Sequence, residues 1–300
     1  MATLMKTCIT KGYFSGIIAA ICYGMNPLFA LPVYAHGFSV NSVLFYRYLF
    51  ATIIYGLLLR VFKHISLKIT FKEFIVLLIL GVIFAYTDIF IFEAFRYIDS
   101  GLACTMLFVY PLMVALISRL LFKEKMPSIT WLALTLVIGG VCFLYNGKIG
   151  TTLSIRGIVY VFSGALSYAI YMISIEHVKI IKNIKQEKLI FYVMLFGLSV
   201  YMCNLKFFTE LQPLNNWFSF ACIFGLALFP TIISLKTITY AIKYIGATKT
   251  AILGALEPLT ALFFGALLFN ETITLKIIIG ITLILTGVIC VIKKRQSNEQ

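Results

Sequence analysis

The chain has little charge. Only 12% of its 300 residues are Asp, Glu, Lys or Arg, and acids are the scarcer kind, 11 against 25 bases. Soluble globular chains carry about 25% charged residues, so this supply cannot build a water-facing surface. Histidine is scarcer still, and His36, His64 and His177 stand far apart. No HExxH, His cluster or CxxC occurs, which removes sequence support for a metal centre or a dithiol redox site. Of the seven cysteines, Cys22, Cys104, Cys142, Cys203, Cys222 and Cys290 lie in apolar runs, where cysteine is a small buried hydrophobe; Cys8 lies outside them. No Gly-x-Ser-x-Gly elbow and no Walker A loop is present. An enzyme acting within the membrane or an ATP-driven pump therefore has no motif to rest on, and neither catalytic residues nor a cofactor are expected. Long linkers and low-complexity segments are lacking as well.

What the chain has is apolar sequence: 61% of it, with a mean hydropathy of +1.01. About 20 apolar residues span the ~30 Å hydrocarbon core as a helix, which satisfies its own backbone. Ten such runs are marked, at residues 12–34, 41–61, 72–95, 100–122, 128–146, 154–177, 187–206, 217–240, 246–269 and 274–292. The net charge of +14 would point to nucleic acid in a soluble protein. Here the bases fill short gaps between apolar runs, the pattern of loops at an anionic membrane face, and no nucleic-acid partner is expected. The tails and even-numbered loops hold Lys6, Lys11, Lys63, Lys68, Lys123, Lys125, Lys179, Lys182, Lys185, Lys293, Lys294 and Arg295, among others. The opposite side holds Arg96, Lys148, Arg156, Lys206 and Lys276. The positive-inside rule then puts both termini in the cytoplasm of a cell (inner) membrane. That arrangement needs an even number of spans. The first run is read as an uncleaved span, too long for a signal peptide.

The chain also repeats itself. Residues 94–145 align without gaps to 241–292, since 241 − 94 = 147. Tyr97 falls on Tyr244, Pro111 on Pro258, Glu124 on Glu271 and Gly140 on Gly287. The earlier helices match at a shift of 145, Gly12 with Gly157 and Tyr23 with Tyr168. Each half, 1–148 and 149–300, thus holds five spans. An odd number inserts the second half upside down relative to the first, the inverted repeat of many secondary transporters. The expected fold is an all-α integral membrane protein of ten transmembrane helices in two inverted five-helix repeats.

Four stretches carry a family resemblance: AICYGMNPLFA (20–30), FYRYLFA (45–51), FEAFRYIDSGLACTMLFVYPLMVALISRLLFKEK (92–125) and TYAIKYIGATKTAILGALEPLTALFFGALLFNE (239–271). A small-residue stretch, a mid-helix proline and a following glutamate occur twice. In this the chain resembles the EamA-type proteins of the drug/metabolite transporter superfamily over nearly its whole length. It departs at Tyr23, where the family usually has tryptophan. The resemblance implies ten spans, a central cavity, and export or exchange of amino acids, metabolites or drugs.

Several polar residues fall at mid-membrane depth. Pro111 and Pro258 each disrupt the bond to the carbonyl four residues back, at Leu107 and Gly254, giving either a freed carbonyl facing a cavity or a packing kink. Glu257 is costly there unless paired, hydrated or protonated, which suits a proton carrier or an amine contact; its repeat mate is Tyr110. Arg47, in span two, shares its depth with Asp88 and Glu93 in span three, so an Arg47–acid pair that fixes helix packing is expected. The resemblance also places a recurrent arginine at Arg47. Tyr23, Asn26, Tyr168 and Tyr171 come from the first helix of each half, and their polar tips suit a mixed cavity wall. Substrate-binding candidates are therefore Tyr23, Asn26, Asp88, Tyr110, Tyr168, Tyr171 and Glu257; Arg47, Glu93, Pro111 and Pro258 are structural or gating candidates. Ala133 and Gly140 match Gly280 and Gly287, small residues that let helices approach within one chain or across a homodimer.

These readings point to a secondary transporter of a small metabolite, an amino acid or related solute, set against two rivals: a non-transporting membrane partner or sensor, and an intramembrane enzyme. The topology is checked with reporters fused after Gln300. Green fluorescent protein is expected to fluoresce there and alkaline phosphatase to be inactive; the reverse pattern would place the C-terminus outside.

Overall fold

A computed structural model describes residues 2–94, 97–98, 103, 106–144, 154–269 and 275–297. Among the described residues the regular structure is helical, with no strand. In chain order the helices are α1 (Ala2–Gly24), α2 (Asn26–Ala35), α3 (Val40–Leu57), α4 (Phe71–Ala94), α5 (Tyr110–Phe122), α6 (Ser128–Leu144), α7 (Ile155–His177), α8 (Lys179–Asn183), α9 (Gln186–Asn204), α10 (Trp217–Leu226), α11 (Ser234–Ile245), α12 (Ala247–Leu253), α13 (Leu256–Phe269) and α14 (Leu275–Ser297). Among the described residues, six stretches are long and apolar enough to cross a membrane: Cys8–Ala35, Val40–Phe62, Phe71–Ile91, Ile155–His177, Trp217–Ile245 and Leu275–Ile292. Tyr110–Phe122 and Ser128–Phe143 are shorter apolar helices.

Local chemistry explains where the helices begin and end. The Ser39 hydroxyl accepts from the Ser42 N–H at 3.3 Å and caps α3. Thr70 and Glu73 close a reciprocal capping box before α4: Glu73 accepts the Thr70 N–H at 2.7 Å, and the Thr70 hydroxyl accepts the Glu73 N–H at 3.3 Å. Gly246, at φ +84°, separates α11 from α12 in a conformation that a side chain would strain.

Several spans are interrupted. The first run, read as one helix over 12–34, breaks at Met25, with Pro27 opening α2. The fourth breaks at Phe108–Val109, just before Tyr110 and Pro111. The ninth breaks at Gly254–Ala255, just before Glu257 and Pro258. Proline is well tolerated in the first turn of a helix, where its missing N–H had no partner to lose. Both repeat prolines thus start a half-helix rather than bend a continuous one. The carbonyl of Gly254, expected to be freed, accepts the Glu257 N–H at 2.9 Å. The eighth span winds into a π-helical turn over Ala227–Ile233, around Pro230.

Packing is symmetric under the repeat shift. The helix α1 packs on α11 as α7 packs on α4, and α1 packs on α13 as α7 packs on α5. The turn Ala227–Ile233 packs on α3 as α4 packs on α9, while α3 and α9, α5 and α12, and α6 and α14 pair with each other. Matched glycines make close contacts at two of these pairs. A Cβ on Gly12 would lie 2.7 Å from the Tyr244 Cβ and 2.8 Å from Ile245; one on Gly157 would lie 3.1 Å from the Tyr97 Cβ and 2.7 Å from Ile98. The small stripes of α6 and α14 interlock in the same way. A Cβ on Gly140 would meet the Gly280 carbonyl oxygen at 2.7 Å, and one on Gly287 would meet the Ala133 oxygen at 2.9 Å. Close packing within the chain therefore uses the residues that the sequence left open to a homodimer.

The molecule is apolar outside and carries polar tips inside. Phe14, Ile53, Leu120 and Leu267 are exposed, whereas Tyr48, Tyr55, Tyr110, Tyr171 and Tyr201 are among the largest fully buried side chains. That distribution suits hydrocarbon as solvent. Neighbouring glycines on α6 test the packing: a Cβ on Gly139 would meet nothing within 4 Å. Gly140→Ala is expected to cost about 1–3 kcal/mol through backbone overlap, seen as a lower Tm in detergent. Gly139→Ala should leave Tm unchanged or slightly raised, because alanine is the better helix former. Equal effects at the two positions would contradict the interlock.

Candidate functional site

At the centre, a cavity is lined by Tyr23 of α1, Arg47 of α3, Phe84 of α4, Tyr168 of α7, Pro230 and Thr231 of the π-turn, and Ser234, Leu235 and Ile238 of α11. Both halves contribute, and Tyr23 and Tyr168 are repeat mates. The space between these side chains is narrow, with room for about one water molecule.

Asp88 is the polar hub behind this wall. It is 5% exposed. Its Oδ1 accepts from the Tyr23 hydroxyl at 3.4 Å, and its Oδ2 accepts from the hydroxyls of Tyr48 at 3.1 Å and Tyr201 at 3.2 Å. Tyr201 also lies 3.3 Å from the Ala85 carbonyl. Arg47 is 4% exposed; its Nε donates to the Thr231 hydroxyl at 2.6 Å, and that hydroxyl donates to the Leu226 carbonyl at 2.9 Å. The Tyr48 ring lies 5.8 Å from the guanidinium carbon. The expected Arg47–acid ion pair is not formed at contact distance among the described residues. Asp88 acts on Arg47 through space, with tyrosine hydroxyls filling its coordination instead. Glu93 is half-buried and stands five residues beyond Asp88, about 140° around the helix, away from the cavity lining.

Tyrosines continue the wall. The ring of Tyr168 lies 4.8 Å from Tyr110 and 6.3 Å from Tyr171, and Tyr171 lies 4.6 Å from Phe84. The Tyr110 hydroxyl donates to the Ala251 carbonyl at 3.3 Å and occupies the space a side chain on Gly254 would need. The broken fourth span is thereby locked onto the broken ninth. Glu257 is half-buried in the first turn of α13, within electrostatic reach of Tyr23, Tyr110 and Tyr168. Its carbonyl faces Gly24 of α1, where a Cβ would come within 2.5 Å of the oxygen. Pro111 is buried and Pro258 half-buried at the starts of their half-helices. Asn26, half-buried beyond the break at Met25, lies outside the cavity lining.

Two further polar clusters lie outside the cavity lining. At one end Gln212 uses every polar group it has. Its Oε1 accepts the Ser39 N–H, its Nε2 donates to the Gly37 carbonyl at 3.0 Å, its N–H donates to the Ser42 hydroxyl at 3.2 Å, and its carbonyl accepts from Tyr46 at 2.9 Å. At the end with the basic loops, His177 Nε2 lies 3.1 Å from Glu124 Oε1 and 3.9 Å from Glu176 Oε2, with the His177 ring stacked on Phe122 at 3.7 Å. Glu176 Oε2 accepts the Ala247 N–H at 2.6 Å. These three side chains are close enough to share an ion, although Glu176 is already engaged by the backbone. Each cluster joins the first half to the second.

Sequence reasoning missed Tyr48, Tyr201, Phe84, Thr231 and Gln212. Tyr48 follows Arg47 directly, and Pro230 is a third mid-span proline that flags the turn holding Thr231; Tyr201 and Gln212 carry no such flag.

The sequence profile of the EamA-like transporter family matches residues 10–146 and again 155–293. The chain belongs to the EamA-like transporter family. It is a multi-pass membrane protein. An uncharacterized transporter of Archaeoglobus fulgidus is 28% identical over 191 residues, 64% of this chain and 66% of the relative. The uncharacterized transporters YdfC and YoaV of Bacillus subtilis are 25% identical over 226 residues and 26% identical over 202 residues. These cover 72% and 64% of this chain, and 71% and 66% of the relatives. One crystal structure superposes with a TM-score of 0.79 over 97% of this chain and 99% of its own, at 15% identity. That likeness establishes a shared fold.

The lock between the two broken spans gives a double-mutant test. Gly254→Ala should lower Tm, because the new methyl collides with the Tyr110 hydroxyl. Tyr110→Phe should cost about 1 kcal/mol for the lost hydrogen bond. Combined, the two should be less damaging than their sum; strict additivity would show that the hydroxyl does not fill that space.

Proposed function

We propose that this protein is a secondary transporter that moves a small metabolite, an amino acid or related solute, out across the cell (inner) membrane by alternating access. The observation that carries the reading is a narrow cavity lined by both repeats, with Arg47, Tyr23, Tyr168, Thr231 and Ser234 among its walls; in the reading, the contacts of Gln212 and those of Glu124, Glu176 and His177, each joining the two halves, are its two closures. In the reading, four helices complete the six long spans to ten: α5 with the residues before it, α6, α9, and α12 with α13. Each half, 1–148 and 149–300, supplies five and enters the membrane in opposite sense, with both termini cytoplasmic. Releasing one closure while keeping the other opens the cavity to one side. The crosswise pairing of helices under the repeat shift supports this, since each half can adopt the packing of the other.

The solute sits among Tyr23, Tyr168 and Phe84. Behind the wall, Asp88, Tyr110 and Tyr171 hold the aromatic side chains in place, and Asn26 adds a polar tip above the first-helix break. Glu257 opens a half-helix at mid-membrane, where a carboxylate is costly unless protonated or paired, and exchanges a proton with the transport cycle. The half-helix starts at Pro111 and Pro258 are the hinges. Arg47 and Glu93 fix the spans around them.

The test is uptake of a radiolabelled amino-acid mixture into proteoliposomes, with and without an imposed pH gradient. Protein-dependent, gradient-sensitive uptake is expected, and Glu257→Gln should cut the gradient-driven part at least tenfold while leaving the fold intact. Full gradient-driven activity in that variant would remove Glu257 from the mechanism. An absence of uptake across amino acids would remove this substrate class.

A further inference from the structure

Arg47 is a buried cation whose donors are only partly used. Its Nε is spent on Thr231, and no described residue accepts from either Nη group. No carboxylate lies within 4.0 Å of the guanidinium among the described residues. Asp88, the acid whose field reaches it, has both oxygens engaged by Tyr23, Tyr48 and Tyr201. An arginine held within the membrane with open donors is expensive. That cost falls when a planar anion meets the fork, because paired charge-assisted hydrogen bonds to a carboxylate are strong and directional.

The surroundings are arranged to present the fork. The π-turn around Pro230 lets the Thr231 hydroxyl donate to the Leu226 carbonyl, which leaves its lone pairs to accept Arg47 Nε. Turns of this kind recur at functional sites in helices. The Tyr48 ring supports the guanidinium from beside it. Arg47 lines the cavity together with Tyr23, Tyr168, Phe84, Leu235 and Ile238, so one cationic corner faces an aromatic and aliphatic wall.

We propose that Arg47 is the anchor for the carboxylate of the solute, through its two Nη groups, and that the site selects a compact monocarboxylate with an apolar or aromatic remainder. A single guanidinium offers one planar fork, which pairs with one carboxylate group, not two. Three tyrosine hydroxyls already donate to Asp88, which leaves about one of its four acceptor sites for an amine, so the acid group of a solute is the stronger handle. This rests on the reading that the central cavity holds the transported solute.

The experiment measures thermal unfolding of the full-length protein in detergent against matched probes at constant ionic strength. The probes are propionate and phenylacetate, their carboxamides, and inorganic phosphate, with chloride as the control. The carboxylates are expected to raise Tm saturably, with half-saturation at least about tenfold lower than for the amides. Arg47→Gln is expected to abolish the acid–amide difference. Should that variant fail to fold, the acid–amide comparison in the wild-type protein decides alone. Equal shifts for acids and amides, no shift with either carboxylate, or tighter binding of phosphate than of both carboxylates each overturns the assignment. Uptake of the amino-acid mixture, competed by the same probes, separates this inference from the transport reading. Acid-selective binding without uptake leaves the anchor standing and removes amino acids as the transported class. Uptake inhibited as well by amides as by acids does the reverse.

Discussion

The carboxylate of Asp88 and the three tyrosine hydroxyls that donate to it hold the centre of this structure together. Tyr23 comes from the first span, Tyr48 from the second, Asp88 from the third and Tyr201 from the second repeat. In water such a cluster would be one polar patch among many. Inside a membrane each of these groups lacks water as an alternative partner, so the spans that carry them must stay together. Because the hydroxyls satisfy the carboxylate, Arg47 is left to find Thr231 instead. The π-turn at Pro230 presents the Thr231 hydroxyl that accepts it.

Much of the scaffold was written in hydropathy and repetition. The apolar runs match helices, and the prolines at 111 and 258 mark where the fourth and ninth spans break. The repeat was legible at a finer level than composition. Gly12 with Gly157 and Tyr97 with Tyr244 were matched at two separate shifts, and in three dimensions each glycine seats the other half's tyrosine and isoleucine. Tight contact accounts for the lack of a side chain at Gly12 and Gly157.

The site was harder to read, for physical reasons. Depth in the membrane brought Arg47 and Asp88 to the same level, but depth alone does not say which donor reaches a carboxylate first. With 17 tyrosines in the chain, the amphipathic side chain best suited to a buried hub is also the least conspicuous. Gln212 lies in a short loop and acts through its backbone as much as its side chain, so no spacing rule reveals it. The break at Met25 was hidden in a run of uniform hydropathy, although Pro27 stood beside it.

Symmetry of the frame and asymmetry of the chemistry do different work. Tyr110 and Glu257 occupy the same repeat position at the start of a half-helix. One donates across the interface to Ala251 and is locked; the other places a half-buried carboxylate at the matching point. The closures differ in the same way. Gln212 is neutral and holds its partners through amide and backbone groups, while Glu124, Glu176 and His177 combine charges that change with protonation. Under the alternating-access reading proposed above, two halves that pack alike exchange conformations at small cost, since apolar surface uncovered at one end is covered again at the other. What biases the exchange must then be the residues the halves do not share. In this chain those are Arg47, Asp88, Glu257 and the charged closure, which makes them the groups through which a solute or a proton can alter the balance between the two conformations.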